Sequence, residues 1–340
     1  MKSQQGILEA AGELLRQHHV FLISSHLRLD CDGLAGELAL AHVLEALGKQ
    51  AHIVNPGPMA RVFRFLPGSE RVMLASDTSE PPSDLGALVI LDCPDLSRLG
   101  DVAALLPGGL PLLNVDHHPD NTSFGTVNLA DAGASSTCEL LWRVIRANRL
   151  PLPPEAATNL YAGILSDTGR FCFSNTTAEA LSVAAQLVRL GADPLAVGHH
   201  LYEDFLLGQL RLWADVVGTI DVALAGRVAV AVITQEMLGR QSVSGEDTQD
   251  FAEVPRMVSG VEVGVLLREL SEGRVKVSLR SRGPVDVNVM AARLGGGGHQ
   301  NAAGVVLSGT LSEVRRRVLA VVEEGLAGSA GSGREKEARG

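Results

Sequence analysis

Residues 111–118 read Pro111-Leu112-Leu113-Asn114-Val115-Asp116-His117-His118. A strand-length apolar run ends there in a carboxylate and two imidazoles. Three other segments repeat the arrangement. His26-x3-Asp30-x-Asp32 follows Val20–Ser24, Asp92 follows Ala87–Leu91, and Asp167 follows the apolar residues 161–165. In an open α/β sheet, residues just past the strand carboxyl ends share one crevice. The pattern therefore predicts that five Asp and three His meet in one place. So many carboxylates resist burial together, because each raises the pKa of its neighbours. Divalent ions are the natural compensation, and a carboxylate–imidazole set without an obligatory thiolate points to Mn²⁺ or Mg²⁺ more than to structural zinc.

The surrounding segments alternate between strand and helix character. Residues 7–18, 33–47, 135–148, 154–165 and 177–190 read as helices, and residues 20–24, 51–54, 87–91 and 111–115 as buried strands. This βαβ succession implies a mostly parallel sheet covered by helices. Residues 201–218 read as one amphipathic helix able to bridge two domains. Beyond it, Ala225-Gly226-Arg227 and Ser271-Glu272-Gly273 sit between apolar runs as hairpin turns, and residues 286–294 and 311–324 read as helices. The last residues are rich in Gly, Ser and charge and are expected to be disordered.

A chain of 340 residues accommodates two domains. Its 46% hydrophobic content and mean hydropathy of +0.17 fit a well-buried soluble protein. No apolar run approaches the roughly 18 residues of a membrane span. The start of the chain lacks a signal-peptide pattern. Cys31, Cys93, Cys138 and Cys172 form no disulfide framework, so a cytoplasmic location is expected. The net charge of −10 argues against tracking a long duplex, which needs a broad basic surface. It leaves room for a short anionic ligand held by metals and a few Arg.

Each cluster also has an ordinary reading. The Asp30-Cys31-Asp32-Gly33 loop can cap a helix, Asp92 can cap a turn, and His pairs are usually surface features, as expected for His18-His19 and His199-His200. Glu37, His42 and Trp213 carry no reading beyond packing or solvation. Near the carboxyl end, Gly295-Gly296-Gly297-Gly298-His299-Gln300-Asn301-Ala302-Ala303-Gly304 is either a flexible connection or a turn whose backbone N–H groups approach an anion, with His299 as an added donor.

Taken jointly, His26/Asp30/Asp32, Asp92, Asp116-His117-His118 and Asp167 resemble the four motifs of the DHH phosphoesterase superfamily in order and interval. Gly295–Gly304 is similar to the GGGHxxAAG signature of the DHHA1 domain. The length resembles the compact bacterial members, the NrnA group, that degrade nanoRNA and dephosphorylate pAp. The resemblance implies a DHH catalytic domain over residues 1–192, a linker helix over 193–218, a smaller α/β DHHA1 substrate-binding domain over 219–325 and a disordered tail over 326–340.

It also implies two Mn²⁺ per chain, with Mg²⁺ or Co²⁺ as substitutes. His26, Asp30 and Asp92 would hold one ion. Asp32, Asp92, His117 and Asp167 would hold the other, with Asp92 bridging. His118 would contact the phosphate and protonate the leaving oxygen, and Asp116 would orient a neighbouring imidazole. Arg280, His299 and the backbone of Gly297 and Gly298 would grip a terminal phosphate or base. Cys31 departs from the family pattern, where smaller residues such as Gly are commoner. Cys31 and Cys93 both neighbour proposed ligands and could draw in zinc or oxidise.

The expected activity is hydrolysis of short single-stranded RNA or DNA oligonucleotides to mononucleotides, in the manner of a 3′–5′ oligoribonuclease, with removal of the 3′-phosphate of pAp. A cleft between the two domains would favour such short substrates. A homodimer is compatible with the apolar first domain. Rival readings are a manganese pyrophosphatase, which should lack the Gly295–Gly304 signature, a phosphodiesterase for cyclic-dinucleotide products such as pApA, and a non-catalytic nucleotide- or RNA-binding module, which should not need two metal ions.

Overall fold

The computed structural model describes residues 3–337, apart from residues 28, 79, 246, 247 and 249. The chain divides into two compact units, residues 1–204 and 205–340.

The first unit is built on a parallel sheet of six strands. These are β1 (Val20–Ser24), β2 (Gln50–Asn55), β3 (Met73–Leu74), β4 (Ala87–Leu91), β5 (Leu112–Asp116) and β6 (Val127–Ala130), in the spatial order β3-β2-β1-β4-β5-β6. Every residue of β1 and β4 is buried, as strands covered on both faces require. Phe21, Ile23, Val89 and Leu91 point into a large core with the helices. Leu22, Leu88 and Ile90 point the other way, onto Leu99 and Val102 from the short helical turns that follow β4.

The helices are α1 (Gln4–Gln17), α2 (Cys31–Ala46), α3 (Thr137–Ala147), α4 (Pro154–Asp167), α5 (Ala178–Arg189) and α6 (Pro194–Tyr202). Helix α2 is apolar nearly all round and is correspondingly buried nearly throughout. Chain order places the site. From β1 the chain winds outward to β2 and β3, then crosses back to β4 beside β1. The strand order reverses between β1 and β4, where a doubly wound sheet opens its ligand crevice.

The second unit holds α7 (Leu207–Gly218) and a mixed sheet of β7 (Asp221–Ala223), β8 (Val228–Ile233), β9 (Val263–Leu270), β10 (Arg274–Ser281), β11 (Gly297–His299) and β12 (Ala302–Ser308), in the order β11-β12-β10-β9-β8-β7. The remaining helices are α8 (Gln235–Gln241), α9 (Val287–Arg293) and α10 (Leu311–Glu337). Val228 and Val230 of β8 join a core with α9 and α10, whereas Ala231 and Ile233 face α7 and α8. Both expected hairpins form, β7–β8 and β9–β10.

Two expectations and one alternative reading need correction. Residues 201–218 are not one helix. Leu201 and Tyr202 finish α6, and α7 restarts at Leu207, where the Gln209 side-chain oxygen accepts from the Leu206 amide at 2.8 Å. The tail expected to be disordered from residue 326 continues α10 to Glu337, since extending a packed helix costs little per residue; residues 338–340 lie outside the described residues. The run Gly295–Gly304 is not a flexible connection, because its central residues form β11. Among the described residues no single helix is long and apolar enough to cross a membrane.

Candidate metal centre

Four segments bring their polar residues to the crevice of the first unit. After β1 the chain reaches His26 and then Asp30, which caps α2. One Asp30 carboxylate oxygen accepts from the Gly33 amide at 3.1 Å, and the other lies 3.8 Å from His26 Nε2. Gly33 is required by space: a Cβ there would sit 2.4 Å from Ser25 Oγ. Asp92 follows β4 with φ of +52°, a left-handed conformation that costs energy in a non-glycine residue and often marks a functional position. Its amide still bonds the Val115 carbonyl at 2.9 Å, so the turn redirects the side chain without breaking the pairing of β4 with β5. Asp116 ends β5, with His117 and His118 beyond it. Asp167 arrives differently, at the carboxyl end of helix α4 rather than past a strand.

These residues form three groups of potential metal ligands, each with its ligand atoms within 4.8 Å of one another: His26/Asp30/Asp92, Asp32/His117/Asp167 and Asp92/His117/His118. Asp92 stands between them. Its Oδ2 lies 3.3 Å from His26 Nε2, and its Oδ1 lies 3.6 Å from His117 Nε2 and 3.5 Å from His118 Nδ1. His117 Nε2 is also 3.6 Å from Asp167 Oδ2. Asp116 belongs to none of these groups. Its Oδ1 lies 2.7 Å from His118 Nδ1, and its Oδ2 accepts from Asn121 Nδ2 at 2.6 Å.

The electrostatics of the cluster call for positive charge. Burial pulls the His26 imidazole down, but hydrogen bonds to Asp30 and Asp92 and the charges of both lift it to about 10. Burial likewise opposes protonation of His117, yet the charges of Asp167, Asp92 and Asp32 raise it to about 9. Burial and then the Asp92 charge push Asp32 up to about 7. Burial raises Asp167 well above the usual carboxylate range, against the charge of His117. Asp92, although burial opposes it, is held well below that range by the His26 hydrogen bond and the imidazole charges. Protons on imidazoles thus compensate the carboxylates, and divalent cations would do so at the same atoms. The all-nitrogen-and-oxygen donor set fits hard or borderline ions.

Cysteine takes no part in these ligand groups among the described residues. The Cys31 and Cys138 sulfurs point at the carbonyls of Ala162 and Asp32, and Cys93 at that of Asp95. Burial raises all three thiols, Cys93 to about 12. A zinc-thiolate site at Cys31 or Cys93 therefore has no support in this geometry.

Several supporting residues escaped the sequence reading. The Thr137 and Cys138 amides, at the start of α3, donate to the two Asp32 carboxylate oxygens at 2.6 and 3.0 Å. Asn121 donates to Asn114 Oδ1 at 2.8 Å as well as to Asp116, and Asn114 donates to the Cys93 carbonyl at 3.1 Å. A polar residue inside the apolar run of β5 was the available signal for Asn114. Gly163 of α4 lies so close that a Cβ would be 2.3 Å from Cys138 Sγ and 2.9 Å from Asp32 Oδ1. Asn175 donates to the Asp167 carbonyl at 3.1 Å.

In the second unit, β11 pairs antiparallel with β12, matching Gly297 with Gly304 and His299 with Ala302. The glycines admit the strand: a Cβ on Gly298 would meet the Ala302 carbonyl oxygen at 2.4 Å, and one on Gly296 that of Gly304 at 2.3 Å. Arg280 pairs with Ala302 from the other side, so Arg280, Ala302 and His299 share one register row across three strands. Arg280 Nε donates to Glu253 Oε1 at 2.7 Å, and Arg256 donates to Glu253 Oε2 at 2.6 Å. Glu253 and Arg256 carried no sequence signal.

Comparison with known proteins agrees with this architecture. The DHH family N-terminal domain matches residues 20–164, and the DHHA1 domain matches residues 226–328. The bifunctional oligoribonuclease and PAP phosphatase NrnA of Thermus thermophilus is 36% identical over 305 residues, which is 89% of each chain. The Bacillus subtilis protein of the same name is 28% identical over 299 residues, 86% of this chain and 91% of that one. The crystal structure of an exopolyphosphatase-related protein from Bacteroides fragilis has a TM-score of 0.86 at 25% identity, covering 95% of this chain and 96% of that one. With both domains present in this order, the chain belongs to the DHH family of two-domain proteins that carry a DHHA1 domain, alongside the NrnA proteins.

Proposed function

We propose that this enzyme hydrolyses short single-stranded oligonucleotides to mononucleotides and removes the 3′-phosphate of pAp, using two Mn²⁺ per chain. The observation that carries the reading is the position of Asp92, whose two oxygens face separate ligand groups. His26, Asp30 and Asp92 hold one ion, and Asp32, Asp92, His117 and Asp167 the other; Mg²⁺ or Co²⁺ can substitute. When bound, such a pair polarises the phosphoryl oxygens and acidifies water at neutral pH.

The protein's own groups do the rest. Asp116 engages Nδ1 of His118, which fixes the ring and supports its protonated form. His118 is then placed to contact the scissile phosphate and pass its proton to the leaving oxygen through Nε2. Arg280 exchanges part of its pairing with Glu253 for a terminal phosphate, and the Gly297–Gly298 backbone takes the end of the nucleotide; the His299 side chain, expected to join them, lies outside the described residues. The 36% identity to an oligoribonuclease and PAP phosphatase supports this substrate choice. We place the enzyme in the cytoplasm, in keeping with its free cysteines. We further propose a homodimer, supported by the exposed Leu181, Val188, Leu190 and Leu195 around α5 and α6.

The test is hydrolysis by purified protein with Mn²⁺ of an RNA dinucleotide, pAp, pyrophosphate and a 24-mer, side by side, with Asp92→Ala as control. Turnover of the dinucleotide and pAp, abolished by the substitution, is the expected result. Turnover of pyrophosphate alone, or of nothing, would refute the assignment.

A further inference from the structure

Thr137 opens α3 and is fully buried. Its two donors go to two different carboxylates. The amide donates to Asp32 Oδ2 at 2.6 Å, and the hydroxyl donates to Asp92 Oδ1 at 3.0 Å. Asp32 lies in the first turn of α2 and Asp92 follows β4, so no local stretch of chain fixes their separation. Two buried carboxylates left to themselves repel and move apart. Thr137 ties both to one residue.

The hydroxyl bond has a directional consequence. It engages Oδ1, the oxygen nearer His117 and His118, and so keeps Oδ2 turned towards His26. Thr137 has no competing duty as a helix cap, because Ser136 fills that role and accepts from the Glu139 amide at 3.1 Å. The Asp32 anchor is also independent of the side chain, being made by the amides of Thr137 and Cys138. The hydroxyl can therefore be removed while the fold of α3 and the Asp32 contacts remain.

We infer that Thr137 is a positioning residue that fixes the rotation of Asp92 and its spacing from Asp32, and so sets the affinity for the ion pair. The inference rests on the two-ion reading above. Groups that orient metal ligands from behind typically change affinity by about 10–100-fold when lost.

The experiment is calorimetric titration of Mn²⁺ into metal-stripped full-length protein, wild type against Thr137→Val, Thr137→Ala and Thr137→Ser. Thermal unfolding of each metal-free protein serves as the structural control. The expected result is two ions on wild type and roughly 10–100-fold weaker binding by the Val and Ala variants. Thr137→Ser should restore binding, and the metal-free melting temperatures should stay together. Wild-type stoichiometry and affinity in both Thr137→Val and Thr137→Ala would overturn the role of the hydroxyl while leaving the two-ion reading intact. A metal-free melting temperature that falls in step with affinity, unrescued by Ser, would overturn it in favour of a packing role. Fewer than two ions on wild type would defeat the two-ion reading itself, and this inference with it.

Discussion

The crevice of the first unit and the β10–β12 region of the second handle charge in opposite ways. In the crevice, Asp32, Asp92 and Asp116 are buried with His117 and His118, and the acids outnumber what the chain's own cations neutralise. Arg280, by contrast, pairs with Glu253, which it shares with Arg256, so two guanidiniums face one carboxylate. The first region offers three groups of potential ligands to cations from outside. The second keeps one positive charge over within this trio. A buried carboxylate cluster set among imidazoles is thus a stronger functional signal than an Arg paired on a partly exposed strand.

The contrast can be broken most sharply at Asp92. Asp92→Ala should lower kcat about a thousandfold or more, because several kcal/mol of metal-borne charge stabilisation depend on the bridging carboxylate. Steady-state kinetics on pAp would show it. On the other side, Arg280→Ala should raise KM for pAp about 10-fold or more, as expected for loss of a charged hydrogen bond, with kcat little changed. Comparable kcat losses in both variants would erase the distinction between the two regions.

Acidity sharpens the comparison. Without metal, His26 and His117 carry protons at neutral pH, with pKa values raised to about 10 and about 9. Metal ligation needs both rings neutral. Mn²⁺ binding must therefore release protons, and affinity should rise with pH by about tenfold per unit for each proton released. Calorimetry in buffers of different ionisation enthalpy reads this directly. Flat affinity between pH 6 and pH 8 would mean that these rings do not ligate. The smallest effect is expected at Gly163. An added methyl must displace Cys138 Sγ and Asp32 Oδ1, so Gly163→Ala should cost about 1–3 kcal/mol in urea unfolding, with weaker Mn²⁺ binding.

The sequence made the frame of the site legible because its signals are local. Each ligand segment stands beside a largely apolar run, and such runs become the buried strands β1, β4 and β5 and the helix α4. The two- and four-residue strands β3 and β6 were not legible, being too short to show a period. Nor was the break between α6 and α7, where the Gln209 side-chain oxygen accepts from the Leu206 backbone amide. Thr137 was hidden for another reason. Thr137 meets Asp92 across 45 positions of chain and Asp32 across 105, and no spacing rule reaches that far. The glycine run was legible as a DHHA1 signature but not as a strand, since Gly disfavours strands unless backbones must approach closely, as β11 and β12 do. Glu37 proved to be a fully buried acid that accepts from Asn55 at 2.7 Å, and burial pushes its carboxyl up to about 8.

The central claim is that Asp92 bridges two ions, and anomalous diffraction from crystals grown with Mn²⁺ tests it most directly. The account predicts two peaks about 3.5–4 Å apart in the crevice of the first unit, with one oxygen of Asp92 on each. A single peak, or two peaks of which Asp92 touches only one, would contradict it.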